Sequence, residues 1–432
     1  MNLPRLTFAL ATLLMSSSAA LAAEADADPN LLTDQNGCKV VRPEVMLGVV
    51  IKASWEGACV DGFVSGKGTL KIGPTTYTGE FKQGQIVTGE MTTPGGGGTF
   101  EGEFKANLPA GRGVYKRQGI AVSGVFDKDG LIAGPGVIEW PDGSRYEGGL
   151  DRNYLKQGQG RNTFSNGEYY EGGFLNNLRH GKGMWTSAEG RSYTGEYAFG
   201  YRDGQGTEVF EDGSRYVGGY KAGSRQGQGR LTEANGAVRE GEWKADALNG
   251  KCKTREALGD EYEGECLNGK ASGHGRLKRV ADESVYEGEF TDGQFHGQGR
   301  LTAPGYAYEG AFAVGMKTGR GKEVFESGEQ YEGDFVRNQR TGQGVLRLPV
   351  QDGKAMTYDG MLKNGEFEGP GTLTFDEISF KGEFKQGALV RGVMRTTDKT
   401  IEIDAEKATY LEVLKDGTKV PVDPSVIALP EV

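Results

Sequence analysis

Long apolar runs are almost missing from this 432-residue chain. The one candidate, Leu6 to Met15, is too short to span a bilayer, which takes about 20 residues. Nothing after it is apolar for long enough, so no transmembrane span is expected. Histidine is scarce too, at three residues, His180, His274 and His296. His180 and His296 sit at equivalent places in repeats five units apart. At about 9 to 10 Å per two-strand unit they cannot share a metal or a catalytic triad. No Gly-x-Ser-x-Gly, His-Glu-x-x-His or Cys-x-x-Cys occurs. "TPGGGGTF", Thr93 to Phe100, lacks the Lys-Ser/Thr and the helix of a phosphate loop and reads as a turn. No catalytic residue, cofactor or metal site is expected, and the chain reads as a non-enzyme. Hydrophobic residues make up only 36%, which excludes a thick two-layer core.

Positive charge is in deficit. Fifty basic residues face 60 acidic ones, net −10, which argues against nucleic acid and against simple docking on anionic lipid. The N-terminus has one basic residue, Arg5, then the apolar run, then small residues to Ala20-Leu21-Ala22. This is the pattern of a cleaved secretory signal. The expectation is cleavage after Ala22 and a periplasmic or secreted product. Losing Arg5 leaves 49 basic against 60 acidic residues, net −11.

Cysteine is limited to Cys38, Cys59, Cys252 and Cys266. An even number in an exported chain suggests disulfides. Four cysteines allow three pairings, and proximity favours Cys38 with Cys59 and Cys252 with Cys266.

Glycine, by contrast, is abundant: 73 residues, against a usual share of about 7%. It recurs in a pattern, Tyr-x-Gly-x-Phe followed by Gly-x-Gly. The anchor aromatic or its stand-in falls at Trp55, Tyr77, Phe100, Val122, Tyr146, Tyr170, Tyr193, Tyr216, Arg239, Tyr262, Tyr286, Tyr308, Tyr331, Tyr358 and Phe380. These fifteen anchors lie 22 to 24 residues apart, with one spacing of 27. A fixed period in this range means a repeat array. In Tyr286-Glu287-Gly288-Glu289-Phe290, strand alternation puts Tyr, Gly and Phe on one face and both Glu on the other. "TDGQFH" then carries an Asp-Gly hairpin signal. Each unit therefore reads as a β-hairpin. The glycines make room for rings and let the sheet bend, and the opposite face suits Glu–Arg or Glu–Lys cross-strand pairs.

Tyr-x-Gly-x-Phe, a turn, Gly-x-Gly and a period near 23 together resemble the MORN repeat over about residues 55 to 397. "CKVVRPEVMLGVVIKASWEGACVDGFVSGKGTL" is also similar to the entry region of exported bacterial MORN proteins. The units at Val122 and Arg239 depart from the aromatic anchor, and Cys266 stands where Phe is usual. The resemblance implies an all-β, elongated, single-layer twisted antiparallel sheet of about fifteen stacked hairpins with terminal strand caps. It also implies a role in protein–protein contact, often as a dimer, with lipid association in some members. The repeat occurs attached to plant phosphatidylinositol phosphate kinases, but here repeats fill the chain and leave no room for a kinase domain.

The expected organisation is a signal peptide at 1–22, a flexible leader at 23–37, an N-terminal cap at 38–54, the array at 55–397 and a C-terminal cap at 398–432. The expected function is an exported scaffold that binds a protein partner or itself, as a homodimer. The alternative is a cell-envelope module for polysaccharide, such as cell-wall glycan, or lipid. The candidate groove residues for either are Tyr170, Tyr193, Tyr216, Tyr286, Tyr308 and Tyr331; their rings read first as the thin core of the sheet, and a one-layer sheet would leave them partly exposed to line a groove as well.

Overall fold

The computed structural model describes residues 28–48, 50–127, 132–350 and 355–427. The expected signal peptide lies outside the described residues. By compactness the chain divides into two units. One runs to Gly213 with residues 219–223, and the other holds residues 214–218 and everything from Ser224 onward.

Each unit is an open antiparallel sheet of successive hairpins. In the first, Tyr169–Leu175 pairs with Leu178–Thr186, and that strand pairs with Ser192–Ala198. In the second, Val285–Thr291, Gln294–Ala303 and Tyr306–Ala313 follow one another in the same way. Among the described residues there is no α-helix, and so none long and apolar enough to cross a membrane.

Local chemistry explains the hairpin. Its tip is a two-residue turn with both residues at positive φ, as in Asn176 and Asn177 (φ 50° and 68°) or Asp292 and Gly293 (φ 51° and 81°). This is the turn whose twist matches the flanking strands. Where the second turn residue is Asn or Asp, its side chain accepts a backbone N–H from the preceding hairpin. Asn177 takes that of Lys156 at 2.8 Å and Asn338 that of Lys317 at 2.8 Å.

Within most hairpins the strand pair also carries a bulge, typically at the first glycine of Gly-x-Gly, whereas the pairs between successive hairpins run in regular register. Opposite Tyr170, the register runs Gly172 to Gly183 and then Phe174 to Arg179. Gly181 in the bulge has φ +70°. The other two glycines have a different task. A Cβ on Gly183 would lie 2.3 Å from the Tyr170 hydroxyl and 2.6 Å from its ring carbons, and one on Gly172 would lie 2.4 Å from Gly183 Cα. So one glycine supplies a conformation and two supply space for a ring lying flat on the backbone.

The opposite face carries the expected charge ladder. Arg230 meets Glu240 at 3.3 Å and Lys253 meets Glu263 at 2.7 Å, all well exposed. Exposed pairs of this kind are screened by solvent and contribute little stability. "TPGGGGTF" is a turn between Gln85–Thr93 and Gly98–Lys105, with the Tyr115 hydroxyl donating to the Gly97 carbonyl.

The ends differ from the expectation in one respect. Residues 31–33, placed in the flexible leader, form a strand, Leu31–Thr33, paired with Lys39–Val41. Leu32 alternates inward and is 5% exposed, which is why the pairing holds. Asn107 ties this segment to the array, donating to the carbonyl of Val41 at 2.6 Å. At the other end, "TIEID" and "YLEVL" supply the strands Thr400–Asp404 and Thr409–Val413.

Candidate functional site

The six candidate tyrosines do not line an open groove. Tyr170, Tyr193, Tyr216 and Tyr331 are fully buried, and Tyr286 and Tyr308 are 1% exposed. Each ring lies edge-on against the aromatic of its own strand or of the next hairpin. Tyr170 meets Phe174 and Tyr197 at 5.1 Å, and Tyr308 meets Phe312 at 5.1 Å and Phe335 at 5.2 Å. These T-shaped contacts are the preferred geometry for aromatic pairs. The hydroxyls are committed as well. Tyr170 donates to the carbonyl of Gly173, Tyr286 to that of Glu289 and Tyr331 to that of Asp334, at 2.9 to 3.0 Å. Trp55 does the same with its indole N–H to Ala58, at 2.9 Å. In each case the acceptor is three residues on, at the bulge. Burial pushes the hydroxyls of Tyr170, Tyr193 and Tyr331 up to about 12, so they stay donors. The expectation of partly exposed rings is therefore corrected: these rings are the core.

What seals them is a position nine residues after the anchor, on the same face. In several repeats it is basic and sits over the ring. Arg179 covers Tyr170 at 5.1 Å, Arg225 covers Tyr216 at 5.4 Å, Lys317 covers Tyr308 at 5.3 Å and Arg340 covers Tyr331 at 5.1 Å. In others it is Phe. Phe295 stacks on Tyr286 at 3.7 Å and 9°, and Phe367 on Tyr358 at 3.8 Å and 11°. The cationic covers are held by carboxylates on the ring face. Glu208 is 2% exposed and receives Arg191, Arg202 and the Tyr220 hydroxyl. Glu323 is 3% exposed and receives Lys317, Arg340 and the Tyr306 hydroxyl. Burial opposes the charge on Glu323, but these donors outweigh it and hold the carboxyl below its ordinary value. At the equivalent place in the Lys156 repeat stands Asn162. Lys156 lies over Trp140 and Tyr146, each at 5.0 Å. Burial, with Arg179 nearby, lowers its ammonium to about 8.

The repeat anchored at Arg239 is built differently. Its second Gly-x-Gly residue is Cys252, and the next strand carries Cys266 in place of Phe. The structure joins these two, with Cα atoms 5.9 Å apart, and likewise joins Cys38 to Cys59. With no anchor ring to accommodate, position 252 has room for a Cβ, so the three departures from the pattern form one linked exchange of an aromatic for a disulfide. Arg239 is held between Glu233 at 2.7 Å and Glu256 at 3.4 Å. Beside it the covering residue of Tyr262 is Ala271. A cavity of about 190 Å³ opens there, floored by Tyr262, Leu277 and Phe290 and rimmed by Arg239, Glu256 and Asp260. On the opposite face of the same repeats a shallower cavity of about 430 Å³ lies among polar side chains that include Lys253, Glu263 and His274.

Hairpin tips carry the most exposed aromatics. Phe199 is 66% exposed and Tyr201 is 61% exposed, with Leu178 at 45% beside them. Phe199 occupies the first turn position at φ 50°, and His180 packs against its ring at 5.7 Å. No group of residues able to hold a metal ion occurs among the described residues.

Among solved structures the chain is similar to the TCP domain of SAS-4 (dCPAP) of Drosophila melanogaster in complex with a proline-rich motif of Ana2 (dSTIL). The identity is 14% over 34% of this chain and 79% of that one, with a TM-score of 0.22. A single-residue variant of the TCP10 domain of Danio rerio CPAP is 17% identical over 52% of this chain and 99% of that one, with a TM-score of 0.25. Both likenesses are too distant to inform function. Comparison with curated proteins gave no match. The MORN repeat pattern, in contrast, matches eleven stretches: residues 100–118, 128–145, 170–190, 193–215, 216–238, 240–255, 262–280, 286–306, 308–330, 331–352 and 358–376. The hairpins anchored at Trp55, Tyr77, Tyr146 and Phe380 lie outside these stretches, yet they too bury the anchor ring. MORN repeats are commonly modules that bind proteins or membranes. With more than half of its length matched and ring, glycine and turn serving the same ends from hairpin to hairpin, the chain belongs to the MORN repeat family.

Proposed function

We propose that this protein is an exported, non-enzymatic scaffold that engages a protein partner, or a second copy of itself, through hairpin tips rather than through the tyrosine row. The observation that carries this reading is the tip formed by Phe199 and Tyr201. Two large aromatics stand in water two residues apart at one tip, and one of them holds a left-handed backbone conformation that disfavours bulky residues. Exposed aromatic clusters of this kind mark contact sites, and Tyr is among the residue types that dominate binding energy at interfaces. Export rests on the basic, apolar and small-residue pattern of the first 22 residues. The absence of a nucleophile–base pair in the sequence supports a non-catalytic role.

The test is in-cell photo-crosslinking from Phe199 and from Tyr201, with mass spectrometry of the adducts. Tyr193 and Tyr216 serve as buried controls. Recovery of one protein, or of the chain itself, from the tip positions alone supports the reading. Glycan or lipid adducts alone, or identical adducts from the buried controls, would reject it in favour of an envelope-ligand module.

A further inference from the structure

We infer that the cavity over Tyr262 is a seat for the guanidinium of an arginine side chain supplied by a partner polypeptide. The inference rests on residues around this cavity alone and does not depend on the Phe199 tip. The chain itself contains filled versions of this seat. In the Tyr170 repeat, Arg179 lies over the anchor ring and bonds Glu168 at 3.4 Å, two residues before the anchor. In the Tyr331 repeat, Arg340 lies over the anchor ring and bonds Glu329 at 2.6 Å, again two residues before the anchor. The Tyr262 repeat keeps the ring and keeps the acid, as Asp260, but its covering residue is Ala271. Among the described residues no cation or stacked ring lies over Tyr262, and at 6% exposure this buried ring is slightly more open than either Tyr170 or Tyr331.

The surrounding charges favour a cation. Asp260 makes no ion pair among the described residues, and its carboxylate accepts the backbone N–H of Val280 at 2.8 Å. Arg239, the cation nearby, is already held between Glu233 and Glu256. The charge of Arg239 is thus taken up by Glu233 and Glu256, and Asp260 stands on the same rim without a cation paired to it among the described residues. The space of about 190 Å³ has an apolar floor of Leu277 and Phe290 for the aliphatic stem. A flat guanidinium both stacks on a ring and bonds a carboxylate, which an ammonium does less well. In this chain, both covers paired with an acid two residues before the anchor are arginines.

The experiment uses the full chain and Nα-acetyl-arginine amide as probe, followed by saturation-transfer NMR. Nα-acetyl-citrulline amide is the uncharged isostere and Nα-acetyl-lysine amide the non-planar cation. The arginine probe should bind at least about tenfold more tightly than citrulline, the factor expected for one charge-assisted hydrogen bond. Asp260→Asn should remove that preference. Ala271→Arg should fill the seat from within, abolish probe binding and raise the thermal midpoint. Ala271→Phe, patterned on Phe295 over Tyr286, blocks the seat without charge and serves if the arginine variant does not fold. No arginine-probe signal from the wild type, equal binding of arginine and citrulline, or undiminished binding to a folded Ala271 variant would each overturn the proposal.

Discussion

Gly183→Ala tests whether ring accommodation is what these glycines do. The added methyl would start 2.3 Å from the Tyr170 hydroxyl and 2.6 Å from its ring, with the Gly172 backbone close on the other side. Nothing there is the loose end of a flexible chain, because Tyr170 is wedged between Phe174 and Tyr197 and is hydrogen-bonded to Gly173. Overpacking a tight site costs about 1 to 3 kcal/mol. A displaced Tyr170 also leaves the Gly173 carbonyl without its donor, which costs about 1 to 3 kcal/mol more. The total is about 2 to 6 kcal/mol. If the clash is with the ring, Tyr170→Ala should relieve it. In the double variant the Gly183→Ala increment should fall below about 1 kcal/mol, a coupling well outside the additive range. Unfolding of a repeat array need not be two-state, so the readout is native-state hydrogen exchange of amides in Tyr169–Leu175 and Leu178–Thr186. An increment that is small from the start, or that stays the same without the ring, would refute the steric explanation. The chain already holds a natural version of the double variant, in which Arg239 removes the ring and Cys252 replaces the glycine.

Three further outcomes follow from the same face of the sheet. Replacing Arg239, Cys252 and Cys266 by Tyr, Gly and Phe should restore an ordinary repeat, so hydrogen exchange across residues 239–266 should quicken under dithiothreitol in the wild type and not in the triple variant. The Lys156 ammonium is depressed to about 8 by burial and by Arg179. The unfolded chain therefore binds more protons above that pH, and local stability should rise from pH 8 toward 10; Lys156→Met should abolish the rise, and a flat wild-type profile would contradict it. Glu323 is held below its ordinary value of 4.5 by Lys317, Tyr306 and Arg340 against the opposing effect of burial. Its stabilising contribution should be complete above pH 4.5 and fade as pH falls below it, and Glu323→Gln should be less stable than wild type at pH 7 by about 3 kcal/mol or more, converging with it in acid.

The repeat and its faces were legible because they rest on alternation. Tyr286, Gly288 and Phe290 share a parity, and Asp292-Gly293 can form few turns other than the one observed. The covers were not legible as such. Arg179, Arg202, Lys317 and Arg340 are the residue types that ordinarily mark a solvated face, and only packing shows them lying on rings with their charges satisfied by Glu168, Glu208, Glu323 and Glu329. A signal was nonetheless present, a residue nine positions after most anchors. The error about an open tyrosine groove came from reading the rings without those covers. Glu208 and Glu323 were hidden for a related reason. Their position is apolar in most repeats, as at Leu231 and Leu301, and the cost of a carboxylate there is offset only by a cation six residues earlier on the same strand together with cations and hydroxyls from neighbouring segments.

Because the tyrosine hydroxyl finds its acceptor three residues along its own strand, a hairpin settles that polar requirement internally. A whole period can thus be copied or excised by genetic duplication or deletion while the joined neighbours meet the same ring, glycine and turn as before. Array length is in this sense an easily varied trait. The stretch from Arg239 to Cys266 resists this, since its disulfide and its missing ring belong to two hairpins at once, and a cut between them would strand a cysteine on either side.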